Sequence, residues 1–176
     1  MVEAVDATVA GANANSYATS AEAATYNENH VAAITADVFA AANTNAKSIA
    51  LQTATRLLDE WVDWNGAKVS DSQALRWPRY SVKDQDGYLL SSAEIPVFLK
   101  NATSELARVL LTTGDPTGNA DTLGFSELKV GPLELKVDKA DRDKYGSIPD
   151  SVRAMVEPYG TIRSKNSPSS VKLMRT

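Results

Sequence analysis

Between Ala46 and Arg79 the chain carries a helical stripe and all three of its tryptophans. Ala46, Ile49, Ala50, Ala54, Leu57, Leu58 and Trp61 recur at intervals of three and four, so a helix here turns one apolar face to a core. Gly66 is the expected stop. A connector then carries Trp77-Pro78-Arg79. Tryptophan rings bury large apolar areas, so this segment is where the core is expected to gather.

The rest of the chain divides around that segment. Thr19 or Ser20 can cap a helix starting near Ala21. Val31 to Ala42 reads as a second short helix, with Val31, Ile34, Val38 and Phe39 on one side. Asn43-Thr44-Asn45 caps the long helix, which is expected to run to about Asp63. Asp84-Gln85-Asp86-Gly87 is a turn. Ser91-Ser92-Ala93-Glu94 has the pattern of a capping box, and Pro96 suits a helix start. The helix that follows is expected to reach Thr113, with Phe98, Ala102, Leu106, Val109 and Leu110 inward and Gly114 ending it.

The period then becomes two. A two-residue turn at Gly131-Pro132 would pair Val130 with Leu133 and Leu128 with Leu135 on one face; a longer loop is the alternative, because proline is not a usual second turn residue. The same register pairs Lys129 with Glu134 and Glu127 with Lys136 on the other, so a β-hairpin is predicted. A last short helix from Pro149 to Pro158 has Val152, Met155 and Val156 inward. These elements define a mainly α fold: a small bundle of about four to five helices with one β-hairpin and extended arms at both termini. The expected core residues are Leu57, Leu58, Trp61, Trp77, Phe98 and Leu106.

Composition limits the function classes. At 176 residues and 43% apolar content the chain suits one domain with arms, divided as arm 1–15, body 16–163 and tail 164–176. It has no cysteine, so neither a disulfide framework nor a thiolate metal site is available. No apolar run approaches the ~20 residues that span a bilayer. The start, Met1-Val2-Glu3-Ala4-Val5-Asp6, lacks a signal-peptide pattern, and a soluble protein made in the cytoplasm is expected. The net charge of −4 weighs against tight phosphate binding.

Few residues invite chemistry. His30 is the single histidine, with no nucleophile or ligand cluster in its sequence neighbourhood. A calcium-loop frame on Asp84-x-Asp86-Gly87 puts Val82 and Ala93 at its two ends and fails there. Trp77-Pro78-Arg79 could offer a ring and a guanidinium to a base, but the plainer reading packs Trp77 on the long helix and pairs Arg79 with a nearby acid. Glu60 and Asp63 read as a solvated helix end near Arg76. No catalytic, cofactor-binding or metal residue emerges, and a non-enzymatic role is expected. The alternating tip Val171, Lys172, Leu173, Met174, Arg175 follows a Ser/Pro linker. It could add a strand to a partner's sheet, end in disorder, or fold back on the chain's own hairpin.

Several pieces in order resemble one family. They are Asn15-Ser16-Tyr17 with Ala21-Glu22-Ala23; Ala50-Leu51-Gln52-x-Ala54-Thr55-x-Leu57-Leu58-Asp59; Trp64-x-Gly66; Gln73-Ala74-Leu75-x-Trp77-Pro78-Arg79; Asp86-Gly87; Ile95-Pro96; Ala102-Thr103-x-Glu105-Leu106-Ala107; and Lys129 to Glu134. The resemblance is to the head–tail connector (adaptor, head-completion) proteins of tailed bacteriophages, whose members are often labelled DnaT-like single-stranded DNA-binding proteins. It implies a structural protein of the virion at the head–tail interface. It further implies a homo-oligomeric ring, commonly of twelve copies, under the portal protein. That ring would extend the DNA channel, with DNA passing through without specific binding, and would dock the next tail or stopper protein. Portal docking would then fall to Val171–Arg175. The alternative is a single-stranded nucleic-acid-binding module of the replication type.

Overall fold

The computed structural model describes residues 2–34, 37–114, 127–130, 133–136 and 148–163. Among them are five α-helices: α1 (Ser20–Glu28), α2 (Val38–Ala41), α3 (Thr44–Trp61), α4 (Val97–Thr113) and α5 (Asp150–Val156). Three two-stranded antiparallel pairs complete the described fold. They join β1 (Val62–Trp64) to β6 (Gly160–Ile162), β2 (Ala67–Lys68) to β3 (Arg79–Tyr80), and β4 (Glu127–Val130) to β5 (Leu133–Lys136). The fold is thus mainly α, a small helical bundle with a β-hairpin.

The helix starts follow local chemistry. Thr19 caps α1 with a full capping box: its hydroxyl accepts from the Glu22 N–H, and the Glu22 carboxylate accepts from the Thr19 N–H. Asn43 caps α3 by accepting from the Ala46 N–H at 2.9 Å. The box expected at Ser91–Glu94 does not form. Pro96 is the cap residue of α4 and makes no side-chain cap bond. Gly114 ends α4 in the left-handed region, φ +66°, with its N–H on the Leu110 carbonyl. The expected helix over Val31–Ala42 is broken into a 3-10 turn at Val31–Ile34 and the four-residue α2.

Helix α3 packs most extensively against α4, and α4 also carries α1 and α5. The stripe on α3 buries Ala50, Ala54, Leu58 and Trp61. Ser48, Leu51 and Thr55 are buried too, and Ile49 is half exposed. The inward face is therefore rotated by about one residue from the expected one. Ile49 instead borders an open apolar groove shared with Leu110 and Leu111. Helix α3 ends at Trp61, short of Gly66, because Val62–Trp64 leaves the helix to pair with Gly160–Ile162.

Gly66 serves the turn after β1. Its φ is +72°, and a Cβ there would lie 2.0 Å from the Tyr80 carbonyl oxygen and 2.9 Å from Val82 Cγ2. Both the backbone conformation and the space exclude a side chain. Gly66→Ala should therefore cost at least about 2 kcal/mol, from strain plus displacement of β3, read as a lowered Tm. An unchanged Tm would contradict the close approach of the two strands.

The hairpin β4–β5 has the predicted register: Glu127 opposite Lys136, Leu128 opposite Leu135, Lys129 opposite Glu134, and Val130 opposite Leu133. At the other end of the chain, residues 2–15 contain no helix or strand but are held to the body. Gln52 donates to the Glu3 carbonyl, Asn15 bridges Asp6 and Ala4, and the Ala74 N–H donates to the Gly11 carbonyl.

Candidate nucleic-acid interface

Trp77 and Pro78 belong to the core, and Arg79 is half-buried at its edge. Trp77 is 1% exposed and meets Trp64 and Phe98 edge-to-face at 5.7 and 5.6 Å between centroids. Phe98 is half-buried against this core and stacks on Tyr159 at 3.7 Å. The Trp77–Pro78 peptide bond is cis. No face of the Trp77 ring is open to a base. Among the described residues Arg79 pairs with no acid, contrary to expectation. Its guanidinium donates to the carbonyls of Asn65 (2.6 Å), Gly66 (2.6 Å), Arg76 (3.1 Å) and Trp64 (3.3 Å), tying β3 to the turn after β1. The planar fork of arginine suits several carbonyls converging on one side.

The other expected core residues are placed as follows. Leu58 and Leu106 are fully buried, Trp61 is 5% exposed, and Leu57 packs half-buried against the core. Residues Val171, Lys172, Leu173, Met174 and Arg175 lie outside the described residues.

A second constellation surrounds Asp59. Its carboxylate accepts from the Tyr17 hydroxyl (2.5 Å), Trp64 Nε1 (3.1 Å) and the Arg76 N–H (3.2 Å). Burial pushes the Asp59 carboxyl up, against the pull of these donors, and burial beside that charge pushes the fully buried Tyr17 phenol well up. The network joins the segment before α1, the end of α3 and the connector before Trp77. Its role is to hold those pieces together.

A third polar group sits under the α1–α4 contact. Glu105, 2% exposed, accepts from Arg108 through Nη2 (2.6 Å) and Nε (3.1 Å), from Ser151 Oγ (2.9 Å) and from the Tyr26 hydroxyl (3.4 Å). His30 Nε2 lies 3.6 Å from the same carboxylate. Burial pushes the Glu105 carboxyl up, but Arg108, Ser151 and His30 outweigh it and hold the group below its ordinary value. Burial and the Glu105 charge push the Tyr26 phenol up to about 12, so it stays a donor at neutral pH. Among the described residues no group of three or more His, Cys, Asp or Glu side chains could hold a metal ion. No helix of the described residues is long and apolar enough to cross a membrane.

What the chain exposes is different in kind. The connection from β3 to α4 turns at Asp84-Gln85-Asp86-Gly87, as expected. The Asp84 carboxylate accepts from the N–H groups of Asp86 and Tyr88, and Gly87 sits at φ +90°. The turn is closed by Lys83 bridging to Leu89. Tyr80 is 50% exposed, Tyr88 74% and Leu89 69%. Neither tyrosine hydroxyl has a hydrogen-bond partner among the described residues, and exposed Lys83 makes no ion pair there. Neither tyrosine lies in the tryptophan-bearing motif that the sequence marks as aromatic. Their signal was position: one follows Arg79 on a strand, and the other follows the turn glycine.

The described residues thus join an aromatic core and two polar networks to an exposed, tyrosine-bearing turn. The family model described as "Putative DnaT-like ssDNA binding protein" matches residues 4–176, and the chain belongs to that family. No curated protein and no solved structure matches the chain. The match overturns the expected assignment to phage head–tail connectors, because a family described by single-stranded DNA binding, not by a place between capsid and tail, covers nearly the whole chain. With it fall the dodecameric ring, the portal and stopper partners, and the idea that DNA passes without specific binding. The physical origin of the error is plain in the structure. The motifs behind that resemblance, such as Asn15-Ser16-Tyr17, Leu57-Leu58-Asp59 and Trp77-Pro78-Arg79, build core and staples, which specify a scaffold and not its use.

Proposed function

We propose that the chain is a single-stranded nucleic-acid-binding module, acting by binding and not by turnover, with the β3–α4 turn as its contact surface. The family match over residues 4–176 carries this reading. The exposed rings of Tyr80 and Tyr88, with exposed Lys83 on the same segment, supply the chemistry. Base–aromatic stacking is worth about 1–3 kcal/mol per base and tolerates any sequence. Such rings serve unpaired bases, whose faces are open, better than a duplex.

Charge supports stacking as the main contribution. Residues 67–90 hold four basic and three acidic side chains. Arg79 is committed to carbonyls, Lys68 donates to the Gln73 carbonyl, and Arg76 lies 3.9 Å from Asp63. Lys83 is left as the cation available to a phosphate. With one or two phosphate contacts the affinity should fall with salt at a slope of only about −0.7 to −1.4.

The test is fluorescence anisotropy of a labelled mixed-sequence single strand across a salt series. Micromolar affinity with that shallow slope is expected, together with much weaker binding of the matching duplex. Tyr88→Ala should weaken single-strand binding by about 1–2 kcal/mol, roughly 5- to 30-fold, without changing Tm. Absence of single-strand binding at low salt would overturn the proposal.

A further inference from the structure

An open groove of about 800 Å³ runs between α1 and α4, within the range of about 300–1,000 Å³ that small-molecule sites occupy. Its wall includes Tyr26 and His30, whose ring centroids lie 6.0 Å apart at 39°. Both rings are held. The His30 Nδ1 accepts from the Ala32 N–H at 3.1 Å, and its Nε2 lies 3.6 Å from the Glu105 carboxylate. The Tyr26 hydroxyl donates to the same carboxylate. Glu105 is in turn saturated by Arg108 and Ser151. A buried, fully partnered carboxylate thus fixes the orientation of two aromatic faces that border open space.

The groove also offers unused hydrogen-bonding capacity. Asn101 projects from α4 into it, and its amide has no partner among the described residues. Asn29 uses its Nδ2 on the Thr25 carbonyl, which leaves its oxygen free. An amide presents one donor edge and one acceptor edge, the pattern that pairs with the edge of a base. Lys100, in the same wall, is bound to Glu22 at 2.6 Å, with both side chains about a third exposed. An ion pair that open to water is weak, so an arriving phosphate can compete for the ammonium.

We propose that the α1–α4 groove receives one unstacked nucleobase of a bound strand, stacked against Tyr26 and His30 and read by Asn101, with Lys100 on the adjoining phosphate. This rests on the single-strand reading and adds something the tyrosine turn lacks. The turn stacks any base, whereas an amide in a walled groove discriminates between bases. A base must leave its helix to enter, so the groove also excludes intact duplex.

The test uses the full chain and the four deoxynucleoside 5′-monophosphates, followed by amide shifts in two-dimensional NMR. Millimolar binding is expected, with shifts on α1 and α4 around Tyr26, His30 and Asn101, and with unequal affinity among the four bases. Asn101→Ala should weaken the preferred nucleotide about fivefold, the worth of one hydrogen bond, and level the four affinities. Alanine favours the helix at that position, so the variant should fold. It should leave the Tyr88-dependent binding of a longer strand largely in place. If no nucleotide shifts α1 or α4, or shifts appear only near Tyr88, the groove proposal fails while strand binding stands. If neither nucleotides nor strands bind, the single-strand reading itself fails.

Discussion

Trp77→Ala is expected to lower the free energy of unfolding by about 3–5 kcal/mol, the cost of emptying a core site of this size. Trp77 is 1% exposed and links Trp64 to Phe98, which stacks in turn on Tyr159. Its loss would open a cavity between the connector, α4 and the segment before β6. Trp77→Phe should cost much less. The Trp77 Nε1–H is buried without a hydrogen-bond partner among the described residues, so phenylalanine keeps a ring in place and removes an unsatisfied donor. Denaturant unfolding of the two variants checks both points. An alanine variant as stable as the parent would show that the tryptophan cluster is not the centre of the core.

The second large effect concerns Glu105. Glu105→Ala should cost about 3 kcal/mol or more, because it strands the Arg108 guanidinium beside a nearly buried site and unpartners Ser151 and Tyr26. The same group sets part of the acid response. Its carboxyl is held below its ordinary value in the fold, so its stabilisation is complete above the unfolded value of about 4.3 and is lost as pH falls through the lower, folded value. Asp59 has the opposite sign. Burial raises its carboxyl, so its ionised form burdens the fold at neutral pH, and that burden lifts on acidification. Stability measured against pH should therefore fall less steeply below about pH 4.3 in Glu105→Gln than in the parent. In Asp59→Asn the fall should be steeper than in the parent. If both variants kept the parent profile, neither network would carry the charge assigned to it.

These two sites show where sequence reasoning reached and where it stopped. Trp77 could be read as core from its ring size and its place after an apolar stripe. Glu105 could not be read as buried, because it sits on α4 among Thr103, Ser104 and Leu106, where a charged side chain usually faces water. Only the arrival of Tyr26 and His30 from the α1 side and Ser151 from α5 makes that position a satisfied interior site. Arg79 shows the same limit. Its positive charge suggested an acid partner, yet four carbonyls gathered by the β1–β2 turn and the connector after Gln73 take its donors. The exposed tyrosines and the α1–α4 groove were equally hidden, since exposure and concavity belong to packed elements and not to a stretch of chain.

Local chemistry was enough for everything set by near neighbours. Asn43 and Thr19 cap helices because each has its partner three residues on, Gly114 ends α4 because it readily accepts a left-handed backbone, and the β4–β5 register follows from matched alternation in the two strands. The tertiary structure alone decided which way α3 is rotated, that Val62–Trp64 leaves the helix to meet Gly160–Ile162, and which rings face water. Those outcomes depend on contacts between residues far apart in the chain, and the free energy of such a contact is written in neither segment by itself.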